Sequence, residues 1–378
     1  MKTYTVNING YIEGYYGRLL NWFERKRILQ KLNHLEFNSY FYCPKEDLRH
    51  RLNWRKKYTK SWKSSFKKFC NLGRKYNIKI LAGISPGLDF DFNNQHEDFN
   101  ILLTKARELK NIGANIIVLM FDDIPEPLDI NDKNSINEGF LHAQLANQLF
   151  NQLNDTIFVV PRIYCDEIIV KNCNYLDSFN KTLNKKIPIF YCGKKIVSDT
   201  NQKFELNIIR RKTSNKIIFW DNLYANDYCP KKIFLGPYFG RKNFENTMIN
   251  PTGLIETDLF LLDLINFNLL SNDNYNNWIE VLKKYKIPKQ FLIIQKYFFP
   301  INYKETYENS GFEYIKEIEA LDFLLWKWKT PLSREWYQYL LILKQNLQFY
   351  HNNLEKERIR KIFPVPLNSA ILKNKKGY

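Results

Sequence analysis

The chain has 378 residues, 44% hydrophobic and 16% aromatic, with 57 Lys and Arg against 39 Asp and Glu for a formal net charge of +18. That apolar share supports a sizeable core and excludes global disorder, and the length suits one large domain or a large domain with a smaller one. No apolar run approaches the ~18 residues needed to cross a bilayer, and no Cys/His cluster has the spacing of a zinc site.

In chain order, residues 3–8 read as a first strand, not as the apolar core of an export signal. Further strands are expected at 39–42, 79–84, 115–121, 157–160, 188–191, 216–220 and 247–250. Helix-like stretches lie between them at 22–35, 61–76, 97–112 and 138–153, the last starting near Asn137. Strand followed by helix, repeated eight times, is the pattern of an α/β (β/α)8 TIM-like barrel. Continuous apolar runs such as Ile116 to Phe121 suit parallel strands buried on both faces. Beyond Gly253 the pattern turns helical, at 256–270, 278–285, 315–328 and 334–360. There Leu321, Leu324, Leu325 and Trp328 fall on one helical face, and Pro288, Pro300 and Pro331 mark breaks. The expected organisation is a catalytic barrel over 1–255, an all-helical C-terminal region over 256–367 and a flexible basic tail over 368–378.

The basic residues are spread along the chain in short runs such as Arg55-Lys56-Lys57 and Lys373 to Lys376. No zinc-finger, RRM or KH signature accompanies them, so the charge reads as a lysine-rich surface and no nucleic-acid partner is expected. The six cysteines, Cys43, Cys70, Cys165, Cys173, Cys192 and Cys229, form no CxxC pair and read as reduced thiols. The expectation is a soluble cytoplasmic protein with no membrane partner.

A barrel of this kind carries its functional groups at the C-terminal ends of its strands. Here those ends lead into Glu13-Gly14-Tyr15-Tyr16-Gly17-Arg18, Pro44-Lys45-Glu46-Asp47, Ser85-Pro86-Gly87, Asp122-Asp123, Tyr164, Gly193, Trp220-Asp221-Asn222 and Asn250-Pro251. Polar, charged and aromatic groups therefore recur at one end. The pair Asp122-Asp123 directly follows a buried apolar strand. Two like charges there are expected to raise the pKa of one carboxyl, as a general acid requires. An acidic loop start, a helix cap or a Mg²⁺ site would use the same residues. Trp220 and Tyr164 at nearby strand ends favour a sugar ring, whose apolar face packs on aromatics.

Several ordered motifs resemble glycoside hydrolase family 84, the β-N-acetylglucosaminidases that include the protein O-GlcNAcases. They are Gly10-Tyr-Ile-Glu-Gly-Tyr-Tyr-Gly-Arg18, Tyr42-Cys-Pro-Lys-Glu-Asp47 with His50-Arg51, Ile84-Ser-Pro-Gly-Leu-Asp89, Phe121-Asp-Asp-Ile124 and His142-Ala-Gln144. Tyr164-Cys165, Val197-Ser198, Trp220-Asp-Asn-Leu-Tyr-Ala-Asn-Asp-Tyr228, Leu235-Gly-Pro-Tyr-Phe-Gly-Arg241 and Asn250-Pro251 follow. The resemblance implies a retaining exo-β-N-acetylglucosaminidase in which the sugar's 2-acetamido oxygen is the nucleophile and an oxazoline is the intermediate. Asp122 would orient the acetamido N–H, and Asp123 would act as general acid and then general base.

By the same resemblance Tyr164 would bond the acetamido oxygen, Trp220 would wall its pocket and Asn222 would support it. Asp227 and Asn250 would take the 4- and 6-hydroxyls, and the Gly14 carbonyl and Lys45 the 3-hydroxyl side. Tyr16 and Tyr228 would lie near the aglycone. No cofactor and no metal are implied. The implied partner is a GlcNAc-bearing protein or glycan, and the C-terminal helices could form a homodimer. Glycan, hyaluronan or cell-wall fragments are the alternative substrates, and a non-catalytic sugar- or nucleic-acid-binding barrel is the alternative of another class. Two stretches depart from the family pattern. Asp166 follows Tyr164-Cys165 where Gly is usual, and Tyr191-Cys-Gly-Lys194 stands where Trp-Thr-Gly-Pro is usual, so the pocket wall from strands five and six is the part the motifs define least.

Overall fold

A computed structural model describes residues 7–124, 134–169, 174–198, 209, 213–241, 246–270, 274–299 and 313–352. Eight strands, β1 (Asn9–Glu13), β2 (Ser39–Tyr42), β3 (Lys79–Ile84), β4 (Ile116–Met120), β5 (Ile157–Val160), β6 (Ile189–Tyr191), β7 (Ile217–Asp221) and β8 (Thr247–Ile249), pair in chain order. Every pairing is parallel, and β8 closes onto β1 with Asn9 opposite Thr247. Helices α1 (Trp22–His34), α2 (Lys60–Lys75), α3 (Gln95–Asn111), α4 (Asn134–Leu153) and α5 (Tyr175–Thr182) follow the first five strands, and α6 (Ile255–Leu270) follows the eighth. This is the (β/α)8 barrel expected from the alternation of patterns, and it delivers all eight strand ends to one rim.

The first strand lies later in the chain than the expected 3–8, whose residues 3–6 are outside the described set. The alternating segment before Asn9 looks more strand-like than Gly10, which reads as a turn residue. Gly10 is nevertheless inside β1 because β2 runs too close for a side chain: a Cβ there would sit 1.8 Å from the Ser39 carbonyl oxygen. Cys173, Pro300, residues 353–360 of the expected last helix and the 368–378 tail also lie outside the described residues.

Inward-facing side chains fill the barrel. Phe41, Phe158, Phe190 and Trp220 meet across its axis, with ring centroids 5.2 to 6.0 Å apart. These rings give the strand-end rim a solid floor, and Phe190 and Trp220 line the cleft there. Helix α1 begins where Asn21 and Glu24 form a capping box: the Asn21 side chain accepts from Phe23 and Glu24 N–H, and Glu24 reaches back to the Asn21 N–H. Its far face is tied to α6 by the Arg27–Glu256 and Lys31–Asp263 ion pairs, which completes the outer ring next to the closing strand.

The chain divides into two compact units. One runs to Tyr285 and includes Phe299; it therefore holds α6 and α7 (Asn274–Lys284) with the barrel, past the expected boundary at 255. The other takes up Lys286–Phe298 and the described residues 313–352, with helices α8 (Phe291–Ile294), α9 (Tyr314–Trp326) and α10 (Pro331–Asn352). There the expected apolar face of Leu321, Leu324, Leu325 and Trp328 is buried, and Trp336 packs on both Phe291 and Trp328. Among the described residues, no helix is long and apolar enough to cross a membrane.

The close approach of β2 to Gly10 yields a test. Gly10→Ala forces backbone apart and is expected to lower unfolding free energy by about 3 kcal/mol. Gly17→Ala, at φ +78° with nothing near the added methyl, is expected to cost only about 1 kcal/mol. Urea denaturation of both variants checks the order.

Candidate active site

The rim encloses a cleft of about 690 Å³ whose lining includes Gly14, Tyr16, Lys45, Asp122, Asp123, Tyr164, Trp220, Asn222, Asp227, Tyr228 and Asn250. All eleven residues singled out in the sequence thus meet in one place, brought there from the ends of β1, β2, β4, β5, β7 and β8.

Its centre is the end of β4. Phe121 stacks on the buried His142 ring of α4 with centroids 4.0 Å apart, and His142 Nδ1 lies 2.9 Å from the Tyr175 hydroxyl. Past this anchor Asp123 takes a left-handed backbone conformation, φ +55°. Asp tolerates that region better than most residues, at a cost of order 1–3 kcal/mol. The turn breaks the alternation of an extended strand, which would send successive side chains to opposite faces. Both carboxylates therefore reach the same cleft.

One cation lies between them. Lys45, buried, donates from Nζ to Asp122 Oδ2, and the same nitrogen is 3.3 Å from Asp123 Oδ2. Burial opposes the ammonium, but the two carboxylates outweigh it and hold its pKa above the ordinary lysine value. The Asp123 oxygens are each capped by a phenol: Tyr16 donates to Oδ2 and Tyr164 to Oδ1, both at 2.9 Å. Arg51 donates to the Asp123 carbonyl and the Tyr16 hydroxyl, both at 2.5 Å. Burial would raise the Asp123 pKa; Lys45, the two phenols and Arg51 together pull it below the usual carboxylate value. The expectation that like charge would raise one carboxyl is therefore not met at Asp123, because Lys45 lies against both carboxylates. Burial pushes the Tyr16 phenol up to about 12.

Asp122 differs from Asp123. Its Oδ1 is buried and accepts no hydrogen bond among the described residues. A buried carboxylate oxygen left without a donor is costly, and at a cleft wall it is a vacant acceptor.

The opposite wall is built on Trp220. Its indole Nε1 donates to Asn222 Oδ1 at 2.9 Å, and Asn250 Nδ2 donates to the same oxygen at 3.0 Å. Asn250 Oδ1 in turn accepts the Gly14 N–H at 3.1 Å. Gly14 is required here, since a Cβ would lie 2.7 Å from the indole. At the mouth, Asp227 accepts from the Tyr16 and Tyr228 backbone N–H groups, and Tyr16 and Tyr228 are 42% and 56% exposed, open enough to meet a large leaving group.

The two stretches that depart from the family pattern contact each other. The Tyr191 hydroxyl donates to Asp166 Oδ1 at 2.6 Å, and the backbone N–H groups of Asp166 and Cys192 bond the Gly193 and Tyr164 carbonyls. Sequence reasoning assigned no role to Arg51, His142 or Arg241. The family motifs contain all three, but nothing local says that Arg51 reaches the loop that carries Asp123. No group of three or more His, Cys, Asp or Glu placed to hold a metal occurs among the described residues.

A family model described as β-N-acetylglucosaminidase matches residues 9–253. The chain belongs to this family. It is also 32% identical over 239 residues to the "Protein O-GlcNAcase" of Mus musculus and to that of Rattus norvegicus. Those alignments take in 61% of this chain and 26% of each relative, so the chain spans well under half the length of the curated relatives it matches. The matched family segment is the barrel with its strand-end loops, from β1 to the turn after β8.

The lysine between the aspartates makes its own prediction. Lys45→Met leaves two carboxylates in a buried site without their cation, and the expected loss is about 3–5 kcal/mol at neutral pH. Because the folded-state pKa of Asp123 is depressed in the wild type, its stabilising contribution is present above the unfolded carboxylate range and is lost as pH falls through the folded value. The difference between variant and wild type should therefore shrink on acidification. Denaturation curves from pH 7 down to pH 2, through the range below the unfolded carboxylate value, measure this.

Proposed function

We propose that the chain is a retaining exo-β-N-acetylglucosaminidase that uses the 2-acetamido group of its substrate as nucleophile. One observation carries the reading: Asp122 and Asp123 share a single ammonium, while one buried oxygen of Asp122 has no donor. An ordinary retaining pair faces across the anomeric carbon, one acid and one nucleophile, ~5 Å apart with the sugar between. Here the space between the carboxylates is taken by Lys45, so both act from one side. That arrangement suits a substrate that supplies its own nucleophile.

In this scheme the vacant Asp122 Oδ1 accepts the acetamido N–H and balances the positive charge that grows as the acetamido oxygen attacks C1. Asp123 gives its proton to the departing glycosidic oxygen. Water then attacks C1 of the oxazoline, Asp123 takes the water's proton, and the acetamide is restored. Tyr164 has one hydroxyl proton. When it donates to the acetamido oxygen it leaves Asp123, and the carboxyl becomes easier to protonate. Trp220 with Asn222 would enclose the acetyl methyl, while Asp227, Asn250, Lys45 and the Gly14 carbonyl would take the ring hydroxyls. The exposed Tyr16 and Tyr228 at the mouth, and the likeness to proteins named Protein O-GlcNAcase, favour a polypeptide as the aglycone.

Purified protein is expected to hydrolyse an aryl β-N-acetylglucosaminide with retention. Asp123→Asn should lower kcat/KM by about 10²–10⁴-fold for poor leaving groups and much less for acidic phenols, which need little protonation. An inert wild type, or Asp123→Asn at wild-type rate on every leaving group, would sink the proposal. Tyr164→Phe removes a donor from the ionised form of Asp123. The fall of kcat/KM with rising pH should then move to higher pH, while kcat drops. Release of GlcNAc from a glycopeptide compared with a chito-oligosaccharide decides the aglycone.

A further inference from the structure

Asp221 stands between two cleft residues, Trp220 and Asn222, but it does not line the cleft itself. Its side chain is fully buried and every acceptor position is used. Oδ1 accepts from Arg241 Nη2 at 2.6 Å and from the Leu223 N–H at 3.0 Å; Oδ2 accepts from Arg241 Nε and the Tyr238 hydroxyl, both at 2.9 Å. Arg241 is equally enclosed. Its remaining N–H groups reach the Ser198 carbonyl at 2.8 Å and the Phe239 carbonyl at 3.1 Å.

One guanidinium therefore fastens three separate stretches of chain. These are the loop after β6, the end of β7 and the stretch around Phe239 and Arg241. Each stretch contributes to the cleft within one residue of the fastening point: Val197 beside Ser198, Trp220 and Asn222 beside Asp221, and Phe239 itself. A buried ion pair is a poor source of net stability, since well-packed apolar residues often serve as well. What a planar, bidentate fork supplies is fixed geometry, and a lysine cannot reproduce it.

We propose that Asp221 and Arg241 are positioning residues that set how close Trp220 and Asn222 stand to Val197 and Phe239, and so limit the length of the 2-acyl group the cleft accepts. The proposal rests on the reading above, in which the Trp220 wall encloses that group. Loosening the fork widens the gap between these stretches and relaxes discrimination against longer acyl chains. A hydrophobic pocket distinguishes one methylene by about 10-fold or more, so its loss is measurable.

The test is the ratio of kcat/KM for aryl β-glucosaminides carrying N-acetyl and N-butyryl groups, measured on the same preparation. In Arg241→Lys that ratio is expected to fall about 10-fold from its wild-type value, with kcat/KM for the acetyl substrate also reduced. A pair that only stabilises the fold would lower both rates with the folded fraction and leave the ratio unchanged, and that result overturns the proposal. Should Arg241→Lys not fold, Tyr238→Phe removes a single bond to Asp221 and keeps the fork. A smaller fall of the ratio is expected there, and none refutes the idea. A wild type inert on the acetyl substrate refutes the glycosidase reading instead; an active wild type with an unmoved ratio in the variants refutes the acyl-length limit alone.

Discussion

Two carboxylates adjacent in sequence can both stay ionised in one partly buried cleft when a cation lies against them, and in this chain that cation is Lys45. Much of the rim follows from that constraint. The lysine leaves β2, the aspartates leave β4, and β3 lies between the two strands. A long flexible side chain has to bridge the end of β3, and its ammonium loses its water on the way. The left-handed turn at Asp123, the stacking of Phe121 on His142 and the donors on the Asp123 carboxylate all keep the anions where that ammonium can meet both.

Buried acids at this end of the barrel fall into two kinds. Glu13 receives a bidentate Arg25 and the Tyr40 hydroxyl. Asp258 receives Tyr11, Thr252 and Gly253, and Asp221 is saturated by Arg241, Tyr238 and Leu223. In these three, hydrogen bonds from the chain itself satisfy the charge, as burial demands. Asp122 keeps an oxygen without a donor.

The strands were legible because parallel barrel strands are buried on both faces and read as short apolar runs; β2, β3 and β5 coincide with their expected spans. The first strand was not, because Gly10 looks like a turn residue until the closeness of Ser39 explains it. The backbone turn at Asp123 was not legible either, since Asp is permitted but not required there. The position of the aspartate pair followed from the strand-end rule. Trp220 with Tyr164 pointed to a sugar ring from its strand-end position, whereas the parts expected of Lys45 and Asn250 came only with the family resemblance, because a lone lysine or asparagine is ambiguous by itself. Arg51 and Arg241 reach their partners across loops distant in sequence, and no local pattern announces such a contact.

The hydrogen bond between Tyr191 and Asp166 joins the two places where this chain leaves its family's pattern. Each residue is the other's partner, so a substitution at one is felt at the other. A tryptophan at 191 facing Asp166 has no hydroxyl to offer a partly buried carboxylate, and a glycine at 166 strands the phenol of a fully buried tyrosine. The two positions are thus energetically coupled, and the cost of replacing one depends on what stands at the other.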